Sequence, residues 1–161
     1  MTPAKKNNPA YEIQISRIAD SPAVDLDRLG ALVQAVLKEF GADRAHVDVA
    51  IVDDAVIAEV HAQYLDDAST TDVISFDLSD DAPEGPRVFE IIVNESQAVR
   101  QSARRRLPLE SELALYVTHG LLHQFGFDDH EEEPAAAMHR REDELLEQNG
   151  YGATYHQSES N

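Results

Sequence analysis

The spacing of apolar residues changes period twice within the first fifty positions, and this alternation constrains the fold more than any other property of the chain. Tyr11-Glu12-Ile13-Gln14-Ile15-Ser16 alternates apolar with polar, as a half-buried strand does. Between positions 24 and 40, Leu26, Leu29, Leu32, Val33, Val36 and Leu37 recur at helical spacing, and Gly41 supplies a stop. Alternation returns over His46 to Val52. Asp53 or Asp54 then offers an N-cap to a short helix ending near Tyr64, so the chain opens as β-α-β-α.

Two more strands are predicted at Thr71 to Phe76 and Arg87 to Val93, separated by the turn-rich SDDAPEGP. Helices are predicted over Glu95 to Arg105, Leu109 to Phe125 and Pro134 to Gln148, the last with Pro134 in its first turn. The expected fold is α/β (α+β): one four-stranded mixed sheet with about five helices packed on it. Polar or small residues at 1–10 and 150–161 predict flexible tails around a single domain at 11–149.

The chain has 161 residues, 13 Lys and Arg against 31 Asp and Glu, and a formal net charge of −18. That charge argues against a protein that coats nucleic acid or an anionic membrane. A hydrophobic fraction of 42%, gathered into periodic segments, excludes a globally disordered chain. There is no cysteine, so disulfides, thiolate zinc clusters and cysteine nucleophiles are excluded together, and any metal must be held by His and carboxylate. No apolar run follows the basic residues near the start and none is long enough to span a bilayer, so the expected location is the cytoplasm, with no membrane partner and no DNA.

The segment that carries chemistry is His119-Gly-Leu-Leu-His-Gln-Phe-Gly-Phe-Asp-Asp-His130. His119 and His123 stand four apart, which places both imidazoles on one face of a helix within reach of a common ion. The surrounding LALYVTHGLLHQFG is largely apolar, so this HxxxH helix is expected to be buried, and two neighbouring buried imidazoles are costly unless something shares them. Gly126 can end the helix in a left-handed conformation and bring Asp128, Asp129 or His130 back to the same point. Three such ligands and an open fourth position describe a catalytic zinc, which lowers the pKa of a bound water and makes hydrolysis the generic reaction. Zinc peptidases place a Glu directly after the first His. Gly120 occupies that position, so an auxiliary base would come from Asp128 or Asp129.

These residues resemble the YbeY family of bacterial endoribonucleases, also called rRNA maturation factors. His119, Gly120, Leu122, His123, Gly126, Phe127 and Asp128 match its H-G-x-L-H-x-x-G-[YF]-D-H hallmark position by position. Thr71-Asp72-Val73-Ile74-Ser75-Phe76, following Tyr64, is similar to its TDVLSFP segment. The resemblance implies one zinc ion per chain, held by three histidines, and single-strand-specific endoribonuclease activity in 16S rRNA 3′-end maturation and ribosome quality control. The implied partners are rRNA in ribosomal context and ribosomal or assembly proteins. His119 and His123 carry over directly. The chain has Asp-Asp-His where the family has Asp-His, so His130 is taken as the third ligand with Asp129 in reserve. Leu65-Asp66-Asp67 replaces the family's basic Arg-Gly-Lys, Phe89-Glu90 its Gly-Asp, and Asp77 the proline. The alternative is an assembly-binding factor with a mainly structural zinc site and weak or no catalysis.

Cationic contact to RNA must then come from elsewhere. Arg100, Arg104, Arg105 and Arg106 fall within seven positions, and the segment 94–109 is +3 in a chain otherwise −21. Arg100, Arg104 and Arg105 are the substrate-binding candidates, against the plainer role of basic residues complementing a helix C-terminus.

Overall fold

A computed structural model describes residues 10–17, 24–65, 71–80, 85–127 and 132–152. The elements follow the predicted order: β1 (Tyr11–Arg17), α1 (Leu26–Glu39), β2 (Ala45–Val52), α2 (Asp54–Leu65), β3 (Val73–Asp77), β4 (Arg87–Asn94), α3 (Glu95–Arg105), α4 (Leu109–Gln124) and α5 (Glu132–Gln148). Asp25 caps α1 by accepting from the Arg28 amide, and Asp53 caps α2 by accepting from that of Val56.

The sheet is mixed, in the order β1-β2-β4-β3. β1, β2 and β4 run parallel, and β3 closes one edge antiparallel to β4. Because side chains alternate along a strand, the register stacks Ile13, Val47 and Phe89, then Ile15, Val49 and Ile91, on one face. That face carries the main core, completed by Leu32, Val33 and Val36 of α1, Leu113, Val117, Leu121 and Leu122 of α4, and Met138 and Leu145 of α5. The opposite face has a smaller cluster in which Ile57 of α2 meets Val52, Ile74 and Ile92.

Most element boundaries shift by one or two residues from the sequence reading. β3 begins at Val73 rather than Thr71, and the Asp72 carboxylate accepts from the Val73 amide at this start. α5 begins at Glu132, with Pro134 still inside its first turn. Tyr151, assigned by sequence to a tail starting at 150, is buried in the main core; the Arg28 guanidinium lies 4.1 Å from its ring centroid, and its carbonyl accepts from Ser111 Oγ. Of the two expected tails, residues 1–9 and 153–161 lie outside the described residues.

Candidate metal centre

α4 is buried along nearly its whole length, as its apolar sequence predicts. It approaches the sheet at Gly120, where a Cβ would stand 3.0 Å from Val73 Cγ2 and 3.2 Å from Ile91 Cγ2. Gln124, one turn on, donates to Ser75 Oγ at 2.9 Å. Val73 and Ser75 of the TDVISF segment therefore seat the helix that carries both motif histidines.

The end of α4 is a Schellman turn. Phe125 is the C-cap, Gly126 has φ +96°, the Gly126 amide donates to His123 O, and the Phe127 amide donates to Leu122 O. This return of the chain brings the Phe127 carbonyl to 3.1 Å from His123 Nδ1. A carbonyl oxygen only accepts, so Nδ1 carries the proton and the lone pair of His123 lies on Nε2. The packing of Phe125 and Phe127 against Phe40, at 5.1 and 5.5 Å between ring centroids, holds the turn in place.

His119 is fixed in the same way from another side. Its Nδ1 lies 2.6 Å from Oε2 of Glu142 on α5, whose other oxygen is 2.7 Å from His139 Nδ1. Burial pushes the Glu142 carboxyl up, but hydrogen bonds from His119 and His139 outweigh it and hold the group below the usual carboxylate range. Glu142 is thus an acceptor on both oxygens, His119 donates through Nδ1, and its lone pair also lies on Nε2. The two Nε2 atoms stand 3.0 Å apart. Between neutral rings that contact sets lone pair against lone pair, and a shared cation relieves it. A tetrahedral zinc with bonds of about 2.0–2.1 Å separates two ligand nitrogens by about 3.3–3.4 Å, so the pair fits the ion with a slight opening.

His130, Asp128 and Asp129 lie outside the described residues. Among the described residues, no group of three or more His, Asp or Glu forms a metal-binding set. His119 and His123 are the two sequence-predicted ligands that the structure brings together.

A cleft of about 350 Å³ opens beside His119, lined by Asp72, Arg105, Glu112, Tyr116, His139 and Glu142 among others. Arg105 donates to Glu112, a fully buried carboxylate, at 2.6 Å. Burial, followed by the charge of Glu112, pushes the Tyr116 phenol up. Arg100, in contrast, is spent on the fold: it grips Asp54 with two bonds of 2.7 and 3.0 Å and Gln97 with a third. Arg104 is exposed. The +3 of segment 94–109 falls to +2 once the ion-pair partners Asp54, Glu112 and Arg17, which meet Arg100, Arg105 and Glu95, are counted.

Neither Glu142 nor His139 is among the sequence-predicted site residues. The sequence carries H-x-x-E at 139–142, but which helix packs against His119 is a tertiary fact.

Comparison with known proteins gives a consistent answer. Residues 14–150 match the family model described as Endoribonuclease YbeY. The Endoribonuclease YbeY of Syntrophotalea carbinolica is 32% identical over 140 residues, covering 83% of this chain and 93% of that protein. That of Moorella thermoacetica is 34% identical over 140 residues, covering 80% and 90%. That of Rhodopirellula baltica reaches 41% over 106 residues, covering 63% and 53%, and the chain spans 64% of the length of its Anaeromyxobacter relative. The solution structure of TM1509 from Thermotoga maritima shares the fold, with a TM-score of 0.58 at 23% identity over 84% of this chain and 90% of that one. Among the described residues no helix is long and apolar enough to cross a membrane. With the match running from β1 through the end of α5 and enclosing the His119–His123 pair, the chain belongs to the endoribonuclease YbeY family.

Proposed function

We propose that the protein is a zinc-dependent endoribonuclease that cuts single-stranded RNA, acting in the cytoplasm on the 3′ end of 16S rRNA and in ribosome quality control. One observation carries the metal reading: both motif histidines commit Nδ1 to a protein acceptor and turn Nε2 toward each other at 3.0 Å. The family's name supports the RNA substrate. His119 and His123 would hold one zinc ion, with His130 as third ligand and Asp129 in reserve.

The bound ion would activate water and polarise a phosphodiester. The chain's own residues do the rest. Glu142 and the Phe127 carbonyl keep the ligand rings in one tautomer. Arg105 lines the cleft and is the candidate to meet a phosphate there, with part of its charge taken up by Glu112, and exposed Arg104 can add to the approach. Asp128 is the candidate auxiliary base. Gly120 offers no side chain for the base of a zinc peptidase, and Val73 and Ile91 leave no room for one.

The alternative, an assembly-binding factor with a mainly structural zinc, is favoured by two features: Leu65-Asp66-Asp67 lacks the family's basic element, and Arg100 is held by Asp54. The deciding experiment incubates metal-quantified protein with single-stranded RNA beside His119→Ala and His123→Ala. The nuclease reading expects cleavage by the wild type alone. One zinc per chain with cleavage no faster than that of the variants would leave the binding factor.

A further inference from the structure

The buried carboxylate that joins His119 to His139 has no place in the ligand set. Glu142 lies on α5, its side chain is 1% exposed, and its two oxygens accept from two different imidazoles at 2.6 and 2.7 Å. The two rings lie nearly parallel, 18° apart, with centroids separated by 6.4 Å. A carboxylate taken out of water needs compensation on both oxygens, and here each comes from a ring N–H.

The chemistry of the acceptor is specific. Two Nδ1–H donors require two acceptors. A carboxylate supplies both, whereas a glutamine amide of the same shape supplies one acceptor and one donor. With Gln at 142, one of the two histidines must lose its bond or exchange tautomers. If His119 exchanges, its Nε2 carries a proton and can no longer ligate.

We infer that Glu142 is the positioning residue of the metal centre: it sets the tautomer and orientation of His119 through Oε2, while His139 anchors the same carboxylate through Oε1. Carboxylates that orient a ligating imidazole in this way contribute about 10–100-fold to metal affinity. The inference rests on the zinc reading above, and it deepens that reading by adding a pair of residues outside the motif.

The test is equilibrium zinc binding against a chromophoric chelator, together with ¹⁵N NMR of the histidine rings, on the full chain. Wild type should bind one zinc per chain and show His119 protonated on Nδ1 in both the metal-free and zinc-loaded protein. Glu142→Gln should bind zinc about tenfold or more weakly. His139→Phe, which removes one anchor and leaves the carboxylate, should fall between the two. Arg141→Ala, on the same helix but paired with Glu39 and Glu144, should lose some thermal stability and keep wild-type affinity.

Failure of the zinc reading has its own pattern: wild type takes up no zinc, and the inference falls with it. If wild type binds one zinc and Glu142→Gln binds equally well, the inference alone is overturned. Affinities in any other order overturn the part given to His139. Should Glu142→Gln fail to fold, the wild-type spectrum still decides, because a His119 ring protonated on Nε2 in the metal-free protein overturns the assignment.

Discussion

Gly120 lies against Ile91 so closely that a methyl group on its Cα would come within 3.2 Å of Ile91 Cγ2, with Val73 Cγ2 nearer still at 3.0 Å. Both neighbours are β-branched, with little freedom at χ1, so neither yields easily. The residue that removes a peptidase-type base from the motif is the same one that lets α4 settle on the sheet. Gly120→Ala gains about 1 kcal/mol of helix propensity and loses about 1–3 kcal/mol to overpacking. The expected outcome is a net loss of about 1 kcal/mol, a few degrees in thermal melting. Gly120→Glu should not yield a folded protein, and a soluble Gly120→Glu with wild-type melting would refute the close approach.

Arg106 gives a prediction of opposite sign. It follows α3 at φ 59°, ψ 43°, a left-handed conformation costly to a residue with a Cβ. After allowing for the greater freedom of glycine in the unfolded chain, Arg106→Gly should raise stability by about 0.5–1 kcal/mol. Chemical denaturation measures this directly, and a fall in the midpoint would contradict it.

Asp54 predicts a pH dependence. The Arg100 side chain, helped by Asn94, holds its carboxyl at about 2 instead of 3.8. A carboxylate whose folded value is depressed adds stability that is complete above its unfolded pKa and disappears as pH falls from about 4 toward 2. The pair is partly exposed, so solvent screens much of the effect. Wild type should lose stability more steeply than Arg100→Met over that window, and parallel curves would remove the assigned cause.

Arg105 cannot be tested by simple truncation, because Arg105→Ala would strand the fully buried Glu112 carboxylate and destabilise the fold whatever its role in binding. Replacing both partners, as Arg105→Met with Glu112→Leu, avoids this. On the zinc-nuclease reading the double variant should fold, match the wild-type zinc content and bind single-stranded RNA more weakly, with the salt dependence of binding reduced by about one phosphate contact. An unchanged salt slope would take Arg105 out of the RNA site.

Zinc itself should be removable by chelators and should bind more weakly below about pH 6.5, because a ligating imidazole must be neutral. Zinc content measured across pH 5.5 to 7.5 checks this. An affinity, measured in competition with a chelator, that does not fall toward the acid end would contradict histidine ligation.

The parts of this molecule that were legible in its sequence are those encoded locally. Period-2 and period-3.6 patterns located all four strands and the helices, and the HxxxH spacing placed two imidazoles on one face before any contact was known. Gly126 announced the turn that ends α4. What escaped detection depends on long-range packing. Glu142 meets His119 across 23 positions, Arg100 meets Asp54 across 46, and Ser111 meets Tyr151 across 40. Within the arginine cluster, the internal partners of Arg100 and Arg105, Asp54 and Glu112, could not be read from local sequence. At the start of β3 the Asp72 carboxylate accepts from the next amide, a detail the strand pattern does not carry.

β4 passes into α3 with no residue between them, and Asn94 serves as both the last residue of the strand and the cap of the helix. Its amide group reaches Asp54 at 2.7 Å and the Thr71 carbonyl at 3.1 Å, so this one fully buried side chain joins three connections. Truncating Asn94 would remove the cap of α3 and the links to Asp54 and Thr71 in one step, so the starts of α2, β3 and α3 share a single side chain.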